Sequence, residues 1–146
     1  MDGGIVDTCW RERVQWTGDI RMSGLAMQVL ADNPEVLKHS LLQIADSYDE
    51  EIGLVQGAWP LGQTTKKTLL MPTYHLAFCL AVIENGIEEC FELVKHSVKQ
   101  WQQRYLKKGL IQDLPGWYFV DWDFINEEAI GRNVQPPPLR YQCLVL

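Results

Sequence analysis

Residues 7–19 read Asp7-Thr8-Cys9-Trp10-Arg11-Glu12-Arg13-Val14-Gln15-Trp16-Thr17-Gly18-Asp19, a stretch holding three carboxylates, two arginines and two tryptophans. Carboxyl groups in aromatic, partly dry surroundings are pushed toward the protonated form, which is what a general acid needs at neutral pH. A neighbouring arginine acts the other way and keeps a carboxylate ionised. One carboxyl held protonated beside another held ionised is the division of labour used to cleave glycosidic bonds. The alternative for such a stretch is a solvated loop in which Arg11 and Asp19 form a fixing ion pair.

Other side chains able to do chemistry are scattered. The four cysteines, Cys9, Cys79, Cys90 and Cys143, form no CxxC pair and fit no zinc or cluster spacing. They are expected to be reduced packing residues, Cys79 and Cys90 among apolar neighbours. His39, His75 and His96 show no metal-ligand spacing and are expected in core or surface roles. Six tryptophans are present, and of these only Trp101 falls on a clean helical stripe. Trp10, Trp16, Trp59, Trp117 and Trp122 sit in loop-like stretches, where rings either plug loops onto the core or offer a flat apolar face to a ligand such as a sugar.

A chain of 146 residues with 47% hydrophobic residues is close to one domain's worth and can bury a core, which excludes a disordered tail. The net charge of −6 disfavours nucleic acid as a partner. No apolar run approaches the ~18 residues that span a bilayer, so no membrane partner is expected. Met1-Asp2-Gly3-Gly4 shows neither a basic region nor an apolar one, so no signal peptide is read there, and localisation stays open.

The elements that must position residues 7–19 are helical. Ile20–Leu30 reads as a helix stopping at Asp32-Asn33. Asn33-Pro34-Glu35 then starts a second, whose stripe is Leu37, Leu41, Ile44, Ala45 and Tyr48. Residues 49–70, broken by Gly53, Gly57, Pro60 and Gly62, read as a long loop of the kind that usually carries function. Pro72 opens a third helix ending at Asn85-Gly86. A fourth carries Ile87, Phe91, Val94, Val98, Trp101 and Tyr105, and Lys107-Lys108-Gly109 ends it. A second aromatic loop spans 110–124, with a β-like element expected at 118–120 and a helical turn from Asn126. The apolar run Leu139–Leu146 reads as a further helix wanting a partner. Short links inside helix pairs and long loops between them bring all the long loops to one end of a hairpin stack.

The stretch 7–19 resembles the catalytic motif of glycoside hydrolase family 78, the α-L-rhamnosidases: Asp-Cys-Pro, then Arg-Glu, an aromatic, and Gly-Asp. Asp7, Arg11, Glu12, Trp16, Thr17, Gly18 and Asp19 match in order and spacing, while Thr8-Cys9-Trp10 departs from the Cys-Pro of the pattern. Gly116-Trp117-Tyr118-Phe119-Val120-Asp121-Trp122 is similar to the family's Gly-Trp-x-Phe-Ile-Asp-Trp signature, and Met71-Pro72-Thr73-Tyr74 stands where the family has an Ile-Pro-Asp-Tyr-like inner helix.

The resemblance implies an all-α fold of helical hairpins forming about half of an (α/α)6 barrel, with residues 1–146 a single partial catalytic domain truncated at both ends. It implies inverting cleavage of terminal rhamnosides, with Glu12 as general acid. Asp7 and Asp19 would hold sugar hydroxyls and Arg11 would orient a neighbouring group. Trp16, Trp59 and Trp122 would line the apolar wall. No cofactor and no metal are implied. The family's catalytic base lies in a later hairpin; nothing after Trp122 matches it, and Glu127 and Glu128 come too early. The chain alone is therefore expected to be nearly inactive and, with inner helices facing nothing, to self-associate. Two other readings stand beside this one: another (α/α)6 glycosidase acting on trehalose or glucans, and a non-catalytic helical module that binds a glycan or a protein.

Overall fold

The computed structural model describes residues 4–8, 10–11, 13–60 and 69–117. Over these residues the chain is mostly helical, 55% by residue, with one two-stranded hairpin. Four helices carry it: α1 (Thr17–Ala31), α2 (Pro34–Ala45), α3 (Pro72–Glu84) and α4 (Phe91–Arg104), the last entered through a 3-10 turn at Glu88–Cys90.

The stops are chemical. Asp32 ends α1 in the left-handed conformation (φ 47°), its amide donating to the Gln28 carbonyl. Pro34 occupies the first turn of α2, where its missing N–H costs nothing. Asn33 was expected to cap that helix, yet its side chain makes no capping bond. At the end of α3 the Asn85 side-chain amide donates to the Ala81 carbonyl at 2.8 Å and Gly86 takes φ 62°.

The helices form two hairpins. In the first, Gly24 of α1 lies against Leu37 of α2. In the second, α3 and α4 run antiparallel, with His75 beside Trp101 and Cys79 beside Ser97. Between the hairpins α1 and α3 lie side by side and parallel: Gly18 touches Tyr74 near their starts, and the Gln28 amide donates to Asn85 Oδ1 near their ends. A Cβ on Gly18 would stand 2.6 Å from the Tyr74 ring, so glycine is what allows this approach. Arg21 adds a two-pronged ion pair to Glu84 at 2.8 and 2.5 Å, exposed enough to contribute little.

The main core gathers Ile20, Leu37, Leu41, Ile44, Val55, Phe78 and Val82 between the helices, and a second cluster holds Leu54, Trp101 and Leu114. Cys79 and Cys90 are buried and reduced. One flank of α1 stays open, with Met22, Val29 and Leu30 exposed, as do Leu80 and Ile83 on α3. No helix among the described residues is long and apolar enough to cross a membrane.

Two expectations change. The sequence Lys107-Lys108-Gly109 does not terminate α4, which ends at Arg104; it turns a hairpin between β1 (Leu106–Lys107) and β2 (Leu110–Ile111). Lys108 and Gly109 both have positive φ, 53° and 78°, the geometry that matches a two-residue turn to strand twist. Residues 49–60 are not structureless either. Residues 53–58 are buried, and isolated bridges tie Asp49 to Leu54, Trp16 to Ala58 and Gln56 to Leu70. The expected elements at 118–120, 126–128 and 139–146 lie outside the described residues.

Candidate functional site

Residues 7–8 and 13–14 pair as the neck of a loop. The Asp7 amide donates to the Val14 carbonyl at 3.0 Å and the Arg13 amide to the Thr8 carbonyl at 3.2 Å, with Arg13 at φ 51°. The tip faces solvent: Trp10 is 90% exposed, and Asp7, Arg11 and Arg13 are exposed as well. The dry, aromatic surroundings expected for the carboxyls of this stretch therefore do not enclose Asp7. Glu12, expected to be the general acid, and Cys9 lie outside the described residues, as does Trp122.

Behind the loop the chain is tied down. Thr17 N–H donates to the Gly57 carbonyl at 2.8 Å and its hydroxyl to the Gln56 carbonyl at 2.7 Å. Trp59 N–H donates to the Gln15 carbonyl at 3.1 Å, and the Gln15 side-chain amide returns a bond to the Trp59 carbonyl at 2.7 Å. Gln56 is fully buried. Its side-chain oxygen accepts the Leu69 amide at 2.9 Å and its own amide donates to Ser47 Oγ at 3.0 Å. Leu70 in turn accepts the Trp117 amide at 2.7 Å. Residues 15–17, 56–59, 69–70 and 117 thus meet at one end of the hairpin stack, at the starts of α1 and α3.

The structure accordingly brings Trp16, Trp59 and Trp117 to one end, and Asp7 and Arg11 are exposed on the loop that leads into it. Trp16 is half-buried and meets Tyr74 edge to face, ring centroids 6.2 Å apart. Asp19 stands half-buried on the first turn of α1. Trp59 is half-buried against the main core, so much of its ring is spent on packing. Trp117 keeps 39% of its surface, next to Gly116, whose φ of 116° and contact with the Leu70 carbonyl admit no side chain.

A concavity among the described residues lies elsewhere. It is a polar hollow of about 230 Å3 lined by Gln28, Glu35, Lys38, Asn85 and Ile87, at the end where the short connections lie. None of the candidate site residues Asp7, Arg11, Trp16, Asp19 and Trp59 lines it.

A second polar grouping lies inside the core: His75 and Cys79 stand one turn apart on α3, and its other members come from separate segments. His75 is fully buried among Tyr48, Phe78 and Trp101. Its Nδ1 accepts the Val55 amide at 3.1 Å, so the neutral ring carries its proton on Nε2 and donates to Cys79 Sγ at 3.3 Å. Ser97 Oγ, 3.9 Å from Cys79 Sγ, donates to the Val94 carbonyl. The Tyr48 hydroxyl lies 2.7 Å from His96 Nδ1. Burial lowers His75 to about 3 and raises Tyr48 and Cys79 each to about 12. An imidazole beside a thiol has the composition of a nucleophilic dyad, but here the ring nitrogen facing sulfur is a donor and has no free pair to take the thiol proton. The cluster packs the core and does no covalent chemistry.

No family model, no curated protein and no solved structure matches this chain. Among the described residues no group of three or more His, Cys, Asp or Glu side chains is arranged to hold a metal ion.

Proposed function

We propose that the chain is part of a glycoside hydrolase domain of the α-L-rhamnosidase type, about half of an (α/α)6 barrel, with Glu12 as general acid and the base supplied from elsewhere. The reading rests on the resemblance of residues 7–19 and 116–122 to that family. One structural observation supports it: residues 15–17, the Pro72 turn of α3 and Gly116-Trp117 stand at one end of the parallel α1–α3 pair. Hairpins stacked with their first helices side by side and parallel build an open superhelix or, where the rotation between repeats closes, a ring; in this proposal the ring closes, and the open apolar positions on α1 and α3 are where neighbouring hairpins would pack. In this proposal Asp19 and Asp7 hold sugar hydroxyls, Arg11 orients them, and Trp16, Trp59 and Trp122 form the apolar wall of the sugar pocket.

Inversion needs an acid and a base roughly 6.5–9.5 Å apart, and losing one of them costs about 10²–10⁴ in rate. The chain alone is therefore expected to bind L-rhamnose, read by tryptophan fluorescence, with little turnover of p-nitrophenyl rhamnoside. Glu12→Gln keeps that binding, since glutamine preserves the shape and loses only the proton; in a longer active chain it abolishes turnover. No saturable binding at about 10 mM sugar, above the usual KM range, overturns the reading.

The exposure of Trp10 favours a second reading, a non-catalytic module that binds a glycan or a protein through the 7–14 loop. On that reading Trp10→Ala abolishes binding and Glu12→Gln is silent even in a longer chain.

A further inference from the structure

Of the chain's four asparagines, Asn85 alone is followed by glycine. Such a pair carries its own reaction, because a glycine nitrogen brings no Cβ to obstruct its approach to the asparagine Cγ. The Gly86 nitrogen gives up its proton and bonds to Asn85 Cγ; the Cγ–Nδ2 bond breaks, and ammonia leaves with the proton, closing a five-membered imide. Water then opens the imide at either carbonyl. One product is aspartate; the other is isoaspartate, in which the main chain runs through Cβ and Cγ. The reaction consumes only water.

The pair stands where the two hairpins meet, and the fold engages both reacting groups. Gly86, at φ 62°, donates its amide to the Ile83 carbonyl at 3.3 Å while the Ile87 amide reaches the Val82 carbonyl at 3.0 Å, the paired bonds of a Schellman stop to α3. The Asn85 carboxamide is held from both sides: its Nδ2 donates to the Ala81 carbonyl at 2.8 Å, and its Oδ1 accepts the Gln28 amide of α1 at 2.7 Å. Asn85 is half-buried and lines the hollow it shares with Gln28, Glu35 and Lys38, so water reaches it in the folded chain. Only the last turn of α3 has to open for the nitrogen and Cγ to meet, and helix ends open far more often than whole domains unfold.

We propose that Asn85 is a site of spontaneous modification, converted to aspartate and isoaspartate through an imide with Gly86, and that Gln28 of α1 holds the reaction back. The product alters the junction that guards it. A carboxylate at position 85 cannot donate to the Ala81 carbonyl, and it adds a negative charge next to Glu84 at the negative end of α3. Isoaspartate also lengthens the main chain inside the helix stop. Ammonia is lost to solvent, so the α1–α3 junction changes in one direction only. The inference does not depend on the sugar-cleaving reading, which concerns the other end of the hairpin stack.

The full 146-residue chain is incubated folded in mildly alkaline buffer, and position 85 is followed by peptide mass spectrometry and by enzymatic methylation of isoaspartate. Conversion is expected at Asn85, and none by this route at Asn33, because Pro34 has no N–H to lose. Gln28→Ala is expected to speed conversion about fivefold, the change in open population that one net hydrogen bond makes, with an unchanged circular dichroism spectrum. Urea below the unfolding transition is expected to speed conversion of the unsubstituted chain, which reads the same opening if Gln28→Ala fails to fold. Asn85→Asp is expected to unfold at lower urea than the unsubstituted chain. An Asn85 that stays intact for as long as the chain is folded overturns the site. A rate that neither Gln28→Ala nor urea alters overturns the role of Gln28.

Discussion

The cluster of Tyr48, His75, Cys79 and Ser97 and the loop at residues 7–14 each gather polar side chains able to do chemistry, in opposite surroundings. In the cluster His75, Cys79 and Ser97 are buried and Tyr48 is half-buried, and each is met by a neighbour: the Val55 amide on one ring nitrogen of His75, sulfur on the other, the Val94 carbonyl under Ser97, and His96 against the Tyr48 hydroxyl. In the loop, Asp7, Trp10 and Arg11 stand in water, held by two backbone bonds at the neck. Burial and full hydrogen bonding turn an imidazole and a thiol into packing material. Exposure keeps the loop's groups within reach of a ligand in solvent and out of the core.

The sharpest way to break this contrast is to empty the cluster. His75→Ala leaves a cavity between Tyr48, Phe78 and Trp101 and strips the buried Val55 amide of its acceptor. A loss of about 3–5 kcal/mol is expected from cavity and orphaned donor together, measured by urea unfolding. A loss below about 1 kcal/mol shows that the ring is not part of the core.

Acid separates the two regions next. His75 has a folded value near 3 against about 6.5 when unfolded. Its contribution is thus complete above pH 6.5 and is lost as pH falls, because the unfolded chain takes the proton first. Between pH 6.5 and 5 the expected fall in stability is about 2 kcal/mol. Glu84 and Glu89, whose carboxyls are held below the usual range by hydrogen bonds from Arg21 and Lys38, lose their contributions only at lower pH. His75→Gln should flatten the 6.5–5 window; an unaltered slope there assigns it to another group.

The smallest effects belong to the loop. Asp7→Asn and Arg11→Ala should each change stability by less than about 0.5 kcal/mol, the range for exposed sites, while weakening sugar binding if the proposed function holds. A large stability loss on either would reveal that the loop is structural.

The helices were legible in sequence because each carries its own signals. Pro34 and Pro72 mark starts, Asp32 and Asn85-Gly86 mark stops, and Leu37, Leu41 and Ile44 face the core, as do Val94 and Trp101, while Val98, expected on the same stripe, is exposed because Ser97 takes the inward position. The expected start of the first helix at Ile20 is three residues late: α1 begins at Thr17, which is anchored from outside by Gln56 and Gly57. The same long-range ties bury residues 53–58, which a glycine-rich sequence presents as open. The Lys108-Gly109 turn was misread because a glycine after a basic helical run serves a helix end and a tight hairpin equally well. Of the candidate site, residues 7–19 were visible as a cluster of types, but exposure was not: composition near Trp10 does not say which way the loop faces. The His75 cluster was invisible, because Tyr48, Val55 and Ser97 approach it from three separate segments.

The fully buried Gln56 has a consequence for how the molecule closes. Thr17 and Gln56 are 39 residues apart, and Gln15 and Trp59 are 44 apart. Drawing the ends of such a loop together costs about 3 kcal/mol of chain entropy. That entropy is lost once. After the first tie forms, the second joins positions already neighbouring, and the Gln56 to Leu69 bond spans only 13 residues. The ties at this end are therefore linked in an all-or-none fashion. Each hairpin can zip from its own short turn, whereas the end that gathers Trp16, Trp59 and Trp117 exists only when the separate segments arrive together, so a lesion at Gln56 is felt by all of them at once.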